Sequence, residues 1–242
     1  MEAWFGADGE PVSPNGYYVR IVKGYDDNYK VTSERYYGAD GQLALCKNKY
    51  AGIDRRYNDK GQVVYEKWYD TDGVPFSPTG NTFVAQEIAY NNEGKVSEYR
   101  YLDENDHPLK CSAGYEIQGR IYDSYGNVSE FAYRDADGNP VMCASGYAYQ
   151  YREYDAQKHI VRQAYFDTEH APIDLKNGYA GYTQTFTESG KVHVITYFNA
   201  NGETTEIKGG YSKAEYIYSS EDVLLKVVYT NLAGETVKEE NK

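Results

Sequence analysis

An aromatic residue returns at Trp4, Tyr36, Trp68, Tyr101, Tyr133, Tyr165, Tyr197 and Tyr229. The interval is 32 residues throughout, except for 33 between Trp68 and Tyr101. A fixed period of this size marks a tandem array in which each unit buries its apolar face only by stacking on its neighbours. The other positions keep the same register. Five residues after the anchor stand Gly9, Gly41, Gly73, Asp106, Gly138, His170, Gly202 and Gly234. Pro11, Pro75, Pro108, Pro140 and Pro172 follow two residues later. Gly, Asn and Asp accept positive φ and Pro fixes the exit, so these segments predict tight turns. A Gly-Tyr pair then recurs, as in Gly114-Tyr115, Gly146-Tyr147, Gly178-Tyr179 and Gly210-Tyr211.

The rest of each unit predicts a hairpin. A strand-like run ends at a second aromatic, at Tyr25, Tyr57, Tyr90, Tyr122, Tyr154, Phe186 or Tyr218. A second turn follows, then an aliphatic at Val31, Val63, Val96, Val128, Ile160, Val192 or Leu224. From it another strand leads to the next anchor. Each unit is therefore two strands and a short third extended piece. No segment sustains a 3.6-residue period, which predicts that helix is nearly absent. The expected fold is all-β: an open solenoid of stacked hairpins in one repeat domain, residues 1–242, with repeats starting near 4, 36, 68, 101, 133, 165 and 197. A half repeat, 229–242, closes it with the charged tail Lys238–Lys242. A closed β-propeller is the alternative, although its blades usually need about 40 residues.

Tyr supplies 29 of the 242 positions. Each phenol needs water or a hydrogen-bond partner, which favours thin layers over a thick core. The formal charge is 25 − 37 = −12. Nucleic acid is a poor partner for such a chain, because its phosphates demand clustered Lys and Arg. No apolar run approaches the roughly 18 residues of a membrane span, so no membrane insertion is expected. The N-terminus has neither a basic nor an apolar leader region. Met1 precedes the first repeat by three residues, and the chain reads as a piece of a longer protein.

Enzymatic chemistry is not expected, and no catalytic residue, metal ligand or cofactor is assigned. His107, His159 and His170 fall in or beside turns, where His is tolerated at positive φ; His193 falls in a strand. Cys46, Cys111 and Cys143 all stand ten residues after an anchor, at positions held elsewhere by Pro14, Pro78, Leu175 and Ile207. They read as small apolar fillers. A Cys111–Cys143 disulfide is conceivable only if stacking brings the two Cα atoms within about 7 Å. Asp70-Thr71-Asp72-Gly73 begins like a calcium loop, but no Glu follows at the twelfth position.

Two features point to binding. Adjacent residues of a strand face opposite ways, so a buried anchor turns its neighbour outward. Phe5, Tyr37, Tyr69, Phe166 and Phe198 are such neighbours, and Tyr147, Tyr149 and Tyr151 are expected to share one face. Rings beside turn carboxylates suit sugar faces, or a cation through cation–π attraction. The candidate ligand-binding residues are therefore Tyr37, Trp68, Tyr69, Asp70, Tyr133, Asp135, Phe166, Asp167 and Phe198. The alternative is that these rings form cross-strand ladders holding a thin sheet together.

The strings Tyr36-Tyr37-Gly38-Ala39-Asp40-Gly41, Tyr69-Asp70-Thr71-Asp72-Gly73 and Tyr122-Asp123-Ser124-Tyr125-Gly126-Asn127 resemble two kinds of bacterial tandem repeat. One is the aromatic-rich hairpin of choline-binding, glucan-binding and clostridial toxin receptor-binding domains. The other is the Rhs-type Tyr-Asp repeat. The resemblance implies a bacterial, extracellular or cell-surface module binding a neutral glycan or cell-wall polymer. The competing expectation is a structural spacer or protein–protein interaction scaffold within a larger surface protein.

Overall fold

The computed structural model describes residues 1–242 and contains strands and turns but no helix. The strands are β1 (Glu2–Ala3), β2 (Arg20–Tyr25), β3 (Val31–Tyr37), β4 (Gly52–Tyr57), β5 (Val63–Tyr69), β6 (Ala85–Tyr90), β7 (Val96–Leu102) and β8 (Ile117–Tyr122). They continue as β9 (Val128–Arg134), β10 (Tyr149–Tyr154), β11 (Ile160–Phe166), β12 (Gly181–Phe186), β13 (Val192–Phe198), β14 (Lys213–Tyr218), β15 (Leu224–Thr230) and β16 (Thr236–Asn241). Pairing follows chain order in a single open antiparallel sheet. The solenoid-like reading therefore holds, and the propeller alternative falls because the sheet does not close. The chain divides into two compact units, Met1–Gln118 with Asp135–Asp137, and Gly119–Arg134 with Gly138–Lys242.

Each repeat makes three turns. The first ends on the residue five after the anchor, and all eight of these have positive φ, including Asp106 at 64° and His170 at 63°. The second is opened by the position that Cys46, Cys111 and Cys143 share with Leu175 and Ile207. There the opening N–H donates to the carbonyl of the ring residue, as from Cys111 to Tyr115 at 2.8 Å. All three cysteines are free and buried, so no disulfide joins Cys111 and Cys143. The extra residue of the third repeat falls in this turn, where Gly80 at positive φ is separated from Phe83 by Asn81 and Thr82. The third turn joins the two long strands with a bulge, as where Tyr154 pairs with Ile160. Its positive-φ position holds Gly61, Gly94, Gly126 or Gly190, but also Tyr29, Lys158 and Asp222. This is the geometry in which one left-handed residue lets the strands keep their twist.

The core is a ladder of rings alternating between anchors and the residues of the second turn. In the first unit it runs Trp4, Tyr18, Tyr36, Tyr50 and then Trp68, Phe83, Tyr101, Tyr115. In the second it runs Tyr133, Tyr147, Tyr165, Tyr179, Tyr197, Tyr211, Tyr229. Successive centroids are 4.2–6.3 Å apart, mostly in the tilted or edge-to-face arrangements that aromatic quadrupoles favour. Tyr147 thus leaves the face expected for it beside Tyr149 and Tyr151. It precedes β10, and the bend at Ala148 breaks strand alternation before the strand begins. The tail is also not a loose end. Lys238 and its neighbours lie in β16, which pairs with β15 from Thr236 to Asn241.

Candidate functional site

The residues after the anchors lie on the sheet face opposite the ladder, and most are already engaged. The Arg20 guanidinium lies 4.2 Å from the Tyr37 ring, Arg35 lies 4.5 Å from Tyr69, and Arg162 lies 5.1 Å from Phe198. The Tyr69 hydroxyl also donates to Asp54 Oδ2 at 2.7 Å, and Asp54 pairs with Arg35 at 2.8 Å. Burial, reinforced by that hydrogen bond to Asp54, pushes the Tyr69 phenol up to about 12. Phe166 lies 5.9 Å from the His170 ring, which itself stacks on Tyr149 at 3.8 Å. At Tyr37, Tyr69 and Phe198 the cation–π position anticipated for a ligand is thus filled by the chain's own cations. In the fourth repeat the corresponding residue is Leu102, only 2% exposed.

The remaining candidates are structural in their placement. Trp68 and Tyr133 are anchors, 9% and 7% exposed, inside the ladder. Asp70 Oδ1 accepts the N–H groups of Asp72 and Val74, each at 2.9 Å. Asp167 does the same for Glu169 and Ala171, and Asp135 accepts from Asp137 at 3.0 Å. These carboxylates hold the first turn in shape. The structure therefore gathers Tyr37, Tyr69, Phe166, Phe198 and the three aspartates near first turns, and moves Trp68 and Tyr133 to the core.

A groove of about 210 Å³ lies beside the exposed Phe5 at the first repeat, and larger open space lies between successive third turns. In four hairpins the second aromatic reaches back over the preceding hairpin, and its hydroxyl donates to a backbone carbonyl there. The bonds are Tyr57 to Val31 (2.7 Å), Tyr90 to Val63 (2.7 Å), Tyr154 to Val128 (2.8 Å) and Tyr218 to Val192 (2.9 Å). This clasp leaves grooves between the turn tips. One in the first unit has a volume of about 410 Å³ and is lined by Asn58, Gln62, Tyr90, Asn91 and Asn92, among others. Two more flank the Asp155–Lys158 turn in the second unit. On one side Tyr125, Asn127, Tyr154 and Lys158 enclose about 300 Å³. On the other, Gln157, His159, Phe186 and Glu188 line about 590 Å³.

The larger groove has its own chemistry. Phe186 has no hydroxyl, and the carbonyl it would have capped, that of Ile160, accepts from Gln184 Nε2 at 2.6 Å. The His159 ring stacks on Phe186 at 4.4 Å, with its Nδ1 3.0 Å from Asp155 Oδ2. Burial opposes ionisation of Asp155, but hydrogen bonds from the His159 amide and ring hold its carboxyl below the usual value. Sequence reasoning set binding grooves between hairpins at the rings beside the anchors and missed their place at the third turns. The second aromatic of each repeat was the available signal, but the partner of its hydroxyl lies 26 or 27 residues away.

No protein-family model matches the chain, and no curated protein does. Several solved structures are similar over most of its length. The crystal structure of TcdB2-TccC3 without its hypervariable C-terminal region matches 90% of this chain and 11% of that one, at 12% identity and a TM-score of 0.40. The TcdB2-TccC3-Cdc42 structure matches 91% and 13% at 11% identity and a TM-score of 0.33. A Photorhabdus luminescens Tc holotoxin pore carrying a mutation in TccC3 matches 91% and 12% at 12% identity and a TM-score of 0.34. The chain spans between a tenth and a seventh of the length of these structures.

Proposed function

We propose that the chain is a non-catalytic repeat scaffold that holds a protein partner along its row of third turns, as one segment of a longer cell-surface protein. One observation carries this reading. Tyr37, Tyr69 and Phe198 are covered by the chain's own cations, whereas the grooves between third turns recur open in both units. Shallow repeated grooves bind weakly one at a time and gain strength when an extended partner fills several. The test is to probe the immobilised chain with a peptide array and a glycan array. Peptide hits are expected, together with no loss of binding when Tyr37, Tyr69 or Phe166 is replaced by Ala, although each replacement lowers stability. Hits confined to glycans would overturn the reading.

A second reading, a multivalent module for neutral glycan or cell-wall polymer, has one favourable observation. Asn58, Gln62, Asn91 and Asn92 place side-chain amides around the first unit's groove beside the Tyr90 ring. That combination suits a hydroxylated ligand with an apolar face. This reading expects glycan hits that Asn92→Ala weakens.

A further inference from the structure

We propose that the two adjacent grooves beside the Asp155–Lys158 turn bind a basic, proline-rich peptide in the polyproline II conformation. The proposal rests on the reading of the chain as a protein-binding scaffold and names the class of partner. Its first support is geometric period. Successive hairpins are two strands apart, so equivalent points on neighbouring hairpins are about 9.6 Å apart where their strands pair. Three residues of polyproline II advance about 9.3 Å. A peptide running across the turn tips therefore brings every third residue to an equivalent position, and two prolines spaced by three enter the two grooves together.

The second support is what lines the grooves. Polyproline II segments dock on aromatic-lined grooves, because the preformed helix loses little entropy and its rings pack on flat side chains. One groove offers Tyr125 and Tyr154, and the other offers Phe186 with His159 stacked on it. Tyr125 is 84% exposed, an arrangement that serves no internal packing. The Gln157 and Lys158 side chains bring N–H donors for the carbonyls that polyproline II leaves unpaired. The third support is charge. Asp155 and Glu188 line the larger groove with no Lys or Arg among its lining residues, and the whole chain carries −12. A basic residue beside the prolines therefore meets carboxylates. One step further along, the row is closed: Ser189 Oγ donates to Asp222 Oδ1 at 2.9 Å and Lys191 Nζ to the Asp222 carbonyl at 2.6 Å. The larger groove is therefore the last open one on that side.

The test is fluorescence anisotropy on the full chain with two labelled peptides, four repeats of Pro-Pro-Arg and four repeats of Ser-Gly-Arg. The expected result is at least tenfold tighter binding of the proline peptide, a preference that Tyr125→Ala abolishes and Glu188→Gln weakens several-fold. Tyr125 is exposed, so circular dichroism of that variant should match the parent. Equal binding of the two peptides would reduce the site to charge attraction and overturn the proposal, as would an unchanged preference in Tyr125→Ala. Displacement of the proline peptide by cellohexaose would also overturn it, in favour of the glycan reading. Peptide-array hits that lack proline would sink this inference yet leave the protein-binding reading standing; an array without peptide hits would remove both.

Discussion

Two neighbouring hairpins of the second unit, 149–166 and 181–198, occupy equivalent repeats and solve the same problems with different residues. In the first, Tyr149 stands opposite Phe166; in the second, Gly181 stands opposite Phe198. In the first, the Tyr154 hydroxyl caps the carbonyl of the previous turn, whereas in the second Phe186 cannot and Gln184 does so. The fixed requirement is thus a backbone carbonyl that needs a donor, together with a cross-strand space that must be filled once. Residue identity at either position is free to change if its partner changes with it.

The largest expected effect is one the hairpins share. Burial pushes the phenols of their anchors, Tyr165 and Tyr197, well above the ordinary value. The folded state therefore keeps protons that the unfolded chain releases above pH ~10. Stability from this source is complete below that pH and is lost progressively as pH rises from it toward the raised folded value. Urea midpoints should be flat from pH 7 to 9 and fall steeply above 10 in both hairpins, as followed by amide exchange. A midpoint that holds to pH 11 would show that the ladder rings are not buried as described.

The hairpins should part on Gly181→Ala. A Cβ at Gly181 collides with the Gln163 carbonyl and the Phe198 ring. The strand must shift or the ring must leave, at a cost of about 3 kcal/mol, read as a lower urea midpoint at constant slope. Tyr149→Ala in the neighbouring hairpin meets no such collision and should cost less. The clasps differ in the same way. Gln184→Ala strips the Ile160 carbonyl of its donor and removes the side-chain stem, for about 2 kcal/mol. Tyr154→Phe loses only the hydroxyl and should cost about 1 kcal/mol. Adding Phe186→Tyr to Gln184→Ala should restore most of the loss. No recovery would mean that the two clasps are not interchangeable.

The sequence carries the turns and the ladder because both are local demands. Asp106 and His170 stand where other repeats have Gly, and the positive φ of that position explains them without invoking chemistry. What it does not carry is which side chain meets which across hairpins. Asp106 reaches back to Tyr65 at 2.6 Å, Lys67 at 3.1 Å and Arg56 at 3.3 Å, contacts 39 to 50 residues distant. The Arg20, Arg35 and Arg162 caps are hidden for the same reason, since they exist only once the strand register is set. β16 is hidden differently. Thr236–Asn241 has a polar, charged sequence with little strand preference. It forms because Lys226, Val227 and Val228 of β15 pair with Asn241, Glu240 and Glu239. In the preceding repeat, the equivalent residues Val194, Ile195 and Thr196 pair with Glu215, Ala214 and Lys213 of the next hairpin.

The smallest effect tests whether the ring caps are structural. Phe198 is covered by Arg162, which also pairs with Glu153 at 3.0 Å, whereas Phe166 lies beside His170. Both Arg162 and Glu153 are partly solvated, so the ion pair contributes little and the cation–π contact about 0.5 kcal/mol. Arg162→Ala should therefore lower stability by roughly that amount while uncovering one face of Phe198. If that face were a ligand site in waiting, the variant would gain affinity for a quaternary ammonium such as tetramethylammonium. If the cap only seals the sheet over Gly181, it would not. The Gly181 contact favours the second result, because the Phe198 ring fills the space where a Cβ on Gly181 would stand.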